Sequence, residues 1–130
     1  MKNTHRGMAL IEVLVSLLLF SFGVLGLIGL EARSVNFSVD AEDRNRAALI
    51  ANEITSTIWL ANTVTVSAPV LAAWQVRVAQ PTLGGLPNGL LTVTPVAGTT
   101  NIADIALSWK PPSRTAADDR STFTTRVILP

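Results

Sequence analysis

The chain has no cysteine, and its single histidine is His5. Without cysteine there is no disulfide, no thiolate metal site and no Cys–His pair. That absence does not fix a redox compartment, since a cysteine-free protein suits any. A Ser-His-Asp constellation cannot be assembled away from position 5. Phosphate-cradling glycine patterns of the P-loop or dinucleotide type are missing as well. Asp118 and Asp119 lie side by side between Arg114 and Arg120. No third ligand accompanies them, so they read as a solvated loop rather than a metal or acid–base pair. The sequence therefore predicts a non-enzyme with no metal and no cofactor.

Charge is also scarce, at 15% of residues with a net +1. No whole-chain field favours a polyanion. After Asn62, five basic and three acidic residues leave +2, spread over three predicted strands and a loop. Trp74 and Trp109 fall on the apolar phase of their predicted strands, which reads as core rather than as stacking platforms for bases. Nucleic acid is not an expected partner.

What the chain does have is one long apolar run, Met8 to Leu30, whose only formal charge is Glu12. As a helix it reaches roughly 35 Å, enough for a hydrocarbon core of about 30 Å. In lipid every backbone polar group must be satisfied within the segment, so a helix is required. The carboxylate is the anomaly. A charge at the centre of a spanning helix costs roughly 2.5–3.5 kcal/mol, less near an end.

The short leader in front carries Lys2, His5 and Arg6 and ends in Gly7. Its basic residues place the N-terminus on the cytoplasmic side. A secretory signal has its small-residue cleavage site after the apolar region; here the small residue precedes it. A cut between Gly7 and Met8 would remove His5, keep the apolar helix and create an α-amine four residues before Glu12. Amine and carboxylate, each costly alone in lipid, could then pair between axially staggered subunits. Such a pair would set register as a buried polar group does in a coiled coil.

The run R-G-M-A-L-I-E-V-L-V-S-L, residues 6–17, resembles the class III signal and N-terminal helix of type IV pilins and pseudopilins. The resemblance implies that a prepilin peptidase cuts after Gly7 and N-methylates Met8. It also implies that Glu12 is the assembly carboxylate. Met8 departs from the usual phenylalanine. The continuation S-F-G-V-L-G-L-I-G-L-E-A-R-S, residues 21–34, is similar to the PilV group of minor pilins, the type IV pilus modification proteins. Partners implied are the prepilin peptidase, other minor and major pilins, a PilY-type tip adhesin and the inner membrane. The implied location is the bacterial inner membrane with a periplasmic head, then the filament or its tip. A minor pseudopilin of type II secretion and a pilin-like DNA-uptake component are the alternatives. Many pilins close a C-terminal loop with a disulfide; this chain cannot.

Gly23, Gly26 and Gly29 recur every third residue. They read either as sites of close helix approach or as a weak segment able to bend, and glycine is also simply common in membrane helices. From Glu31 to Asn62 the pattern becomes amphipathic, with Ala47, Ile50, Ala51, Ile54, Ile58 and Ala61 forming one stripe. Trp59 and Leu60 are expected to seal the helix against a sheet. Ser34–Ser38 is its expected weak point outside lipid. The organisation expected is residues 1–7 leader, 8–30 membrane and assembly helix, 31–62 amphipathic helix and 63–130 head.

Past Asn62 the period changes to two. Thr63–Val66 alternates briefly, and Trp74–Val78 alternates cleanly and reads as a strand. Pro81–Gly89 reads as turns, Leu90–Val96 as a strand interrupted late by Pro95, which favours an edge position or a strand end, Ile102–Lys110 as a strand and Phe123–Leu129 as the last. A long helix followed by about four strands predicts an α+β fold: an antiparallel sheet packed on the helix, shaped like a lollipop.

Overall fold

The computed structural model describes residues 4–112, 114 and 120–130, with side chains from residue 8 onward. Lys2, Asp118 and Asp119 lie outside the described residues, as does the side chain of Arg6. The order of elements is α1 (Thr4–Ala61), α2 (Ala68–Val78), a 3-10 turn (Pro81–Leu83), β1 (Leu90–Pro95), β2 (Ile102–Trp109) and β3 (Ser121–Ile128). The fold is α+β. The chain divides into two units, residues 1–38 and residues 39–130.

The described residues of the first unit are all helix. Every residue from Met8 to Val39 is exposed, so no described residue covers the apolar run. The helix continues without a break through Gly23, Gly26 and Gly29 and through Ser34–Ser38.

The second unit holds the core. Ala47, Ile50, Ala51, Ile54 and Ile58 of α1 are buried in one cluster with Leu91 of β1, Ala103, Ile105, Leu107 and Trp109 of β2, and Val127 of β3. The spacing of three and four residues puts these α1 side chains on one face. Ala61, expected to extend that stripe, is exposed. Trp59 and Leu60 do not seal the sheet, being 50% and 88% exposed. Asn62 ends the helix in a left-handed conformation, its N–H donating to the Trp59 carbonyl, a position asparagine tolerates.

The sheet has three antiparallel strands in the order β1-β2-β3, not four. Residues 74–78 belong to α2, and Thr63–Val66 forms no strand. Pro69 supplies the first turn of α2, where its missing N–H costs nothing. Leu71, Trp74 and Val78 then face the core at helical spacing. Arg77 of α2 donates to both carboxylate oxygens of Glu53 on α1. Gln75 reaches the Leu91 carbonyl of β1 at 3.2 Å. After α2 the chain folds tightly back on itself. A Cβ on Gly85 would sit 2.3 Å from the Arg77 carbonyl oxygen, and one on Gly89 2.3 Å from that of Val78. Only glycine permits that approach.

Candidate functional site

The apolar helix of the first unit is the candidate site. Its helical state follows from the run itself: from Met8 to Leu30 no proline interrupts it and only Glu12 is charged. The most apolar window has a mean hydropathy of 2.6, and none of it is buried. By length and composition it is the one described helix able to cross a membrane.

Glu12 sits one turn after Met8 on this helix. Ser16 Oγ donates to the Glu12 backbone carbonyl at 2.7 Å, and Ser21 Oγ to that of Leu17 at 2.7 Å. Both hydroxyls are thus satisfied within their own helix. No described residue forms an ion pair with Glu12. Gly23, Gly26 and Gly29 have open space where a Cβ would stand. No contact within the chain demands glycine there.

The polar groups of the second unit are structural in arrangement. Arg126 and Asp104 form a two-bonded pair across β2 and β3 at 2.7 and 2.9 Å. Arg120 donates to the carbonyls of Asn88 and Ser108. Arg114 meets Asp40 at 3.1 Å. Asp43 is buried and its Oδ2 has no partner; burial holds its carboxyl above the usual range, against the pull of Arg46. Among the described residues no three His, Cys, Asp or Glu side chains gather where a metal could bind. Trp109 is core, as expected, while Trp74 is half-buried on a helix.

Residues 2–28 match the family model of the prokaryotic N-terminal methylation motif. The chain carries the methylation motif of prepilin-like proteins. Among curated proteins and solved structures, none matches the chain. The motif belongs to proteins that a prepilin peptidase processes and that assemble with other pilin-like subunits. The motif lies on the apolar helix, which is compatible with a transmembrane segment, and it supports a likeness to type IV pilin-like or pseudopilin proteins, a generally non-enzymatic class.

Gly7, Met8 and Glu12, the residues the sequence singles out, all lie on α1. The turns expected over Pro81–Gly89 are present, and the glycines at 85 and 89 are where the chain passes closest to the end of α2.

Proposed function

We propose that the chain is a minor pilin of a type IV pilus, similar to the PilV group, incorporated in the filament or at its tip to prime assembly. Prepilin peptidase cuts between Gly7 and Met8 and methylates the new amine. Residues 1–7 are the leader, 8–30 the membrane and assembly helix, 31–62 the amphipathic helix and 63–130 the head. Adhesion and twitching are the roles such a filament component supports, with a PilY-type tip protein as partner.

One observation carries this reading: a 23-residue apolar stretch, Met8 to Leu30, is wholly exposed in its own chain. Its cover must be lipid or the helices of other subunits. In that setting Glu12 needs a cation, and the N-terminal amine of a neighbouring subunit is the partner within reach of a staggered stack. Gly23, Gly26 and Gly29, uncrowded in the monomer, suit close approach of a second helix. Lys2 and Arg6 hold the leader on the cytoplasmic side.

The test is filament incorporation of Glu12→Ala. Removing the carboxylate is expected to leave Gly7–Met8 cleavage intact and to lower incorporation by about ten-fold or more, the loss of one desolvated charge pair. Incorporation at the normal level contradicts the pairing.

A further inference from the structure

The two edges of the sheet are treated differently. In β1, Val96 donates its N–H to the Ile102 carbonyl at 2.9 Å. By antiparallel alternation, Leu91, Val93 and Pro95 then turn their backbone groups away from β2. This edge is blunted. Gln75 of α2 occupies the Leu91 carbonyl, and Pro95 has no N–H to offer.

At the other edge, Leu129 donates to the Asn101 carbonyl at 2.8 Å. The odd-numbered residues of β3 therefore bond to β2, and Thr122, Thr124, Arg126 and Ile128 turn their N–H and C=O groups outward. Among the described residues no backbone or side-chain group pairs with these outward groups. Among the described residues the usual guards of an edge are few. β3 has no proline, pairs with β2 through all eight residues without a bulge, and points no charge inward. Its one cation, Arg126, is drawn across the sheet to Asp104. The core-facing side is also unfinished. Ile105 and Leu107 of β2 are fully buried, whereas their β3 neighbours Thr125 and Phe123 remain half-exposed.

We propose that the outer edge of β3 receives an extended strand from a second polypeptide of different sequence. Four outward N–H and C=O pairs prescribe an extended backbone, the geometry of strand addition. Half-exposed Phe123 prescribes apolar residues at alternate positions on the core-facing side, and the Thr122–Thr124 row suits small polar ones on the other. A second copy fits poorly. Its β1 edge is blunted by Gln75 and Pro95, which leaves it only its own β3 to offer, and self-pairing there is read directly in the test below.

The test compares amide-resolved hydrogen exchange of the full chain in membranes of its host with the same chain purified in detergent. The amides of Thr122, Thr124, Arg126 and Ile128 are expected to exchange fast in detergent and about ten-fold or more slowly in membranes. Phe123, Thr125 and Val127 should be protected in both. Thr124→Pro removes an outward N–H without touching the β2 ladder, and should abolish the added protection at Thr122 and Arg126. Should Thr124→Pro fail to fold, Thr124→Lys keeps the ladder, guards the edge with charge and is expected to reduce the same protection. Equal outward exchange in the two preparations overturns the inference. So does a Thr124→Cys chain, otherwise cysteine-free, that crosslinks to itself. The N-terminal mass of the membrane sample is read alongside, so a chain cut at Gly7–Met8 but unprotected at β3 sinks this inference and leaves the pilin reading standing.

Discussion

One helix, α1, passes through both units of the molecule and is written in two different codes. From Met8 to Val39 every residue is exposed, and apolar side chains lie all round the helix. From Asp40 to Ala61 the same helix buries a single stripe, Asp43, Ala47, Ile50, Ala51, Ile54 and Ile58. A helix apolar on every side needs an apolar solvent or many neighbours, whereas a striped one needs one partner surface. The second part has that surface in its own chain, in β2 above all. The first part has no such surface among the described residues.

This contrast predicts that substitutions split by unit when unfolding of the detergent-solubilised chain is followed. Trp109 is 1% exposed at the end of the central strand β2, and Trp109→Ala should cost about 3–5 kcal/mol through the cavity it leaves. Gly85→Ala should cost about 1–3 kcal/mol, because the added methyl meets backbone rather than a movable side chain. If either change were neutral, the second unit would not be the closed core described here.

Smaller effects sharpen the same boundary. Arg77 holds the Glu53 carboxyl below its usual range, chiefly by hydrogen bonding. A depressed acid stabilises the fold above its unfolded pKa, and that contribution is lost as pH falls through the folded value. Both side chains are about half exposed, so Arg77→Ala should cost only a few tenths of a kcal/mol at neutral pH. The cost should vanish in acid, below the ordinary glutamate range, in a pH series of urea melts. Smallest of all, Phe20→Ala in the first unit should shift the unfolding of the second by less than about 0.5 kcal/mol, since Phe20 is 70% exposed. A large shift there would couple the two units and erase the contrast.

The two codes were readable because each repeats over many residues. The apolar run and the stripe at Ala47–Ile58 gave long, strongly periodic signals, and β1, β2 and β3 fall where Leu90, Ile102 and Phe123 begin alternating runs. The region between was not readable in the same way. Trp74–Val78 alternates over five residues, too few to separate a strand from one face of a helix. The better signal lay just upstream, in Ser67-Ala68-Pro69, a helix start with proline in its first turn. Trp59 and Leu60 misled for another reason: both follow Ile58 directly, and a helix turns 100° per residue, so they point off the buried stripe. Gly7, Met8 and Glu12 stand out in the sequence by residue type and spacing alone, and no described residue forms an ion pair with Glu12.

The most direct measurement is the intact mass and N-terminal sequence of the chain from membranes of a host with its own prepilin peptidase, with Gly7→Leu beside it. The account predicts a chain beginning at N-methylated Met8, and an uncut Gly7→Leu chain beginning at Met1. A native chain that keeps Met1 to Gly7 contradicts it, and so does a Gly7→Leu chain that is cut normally.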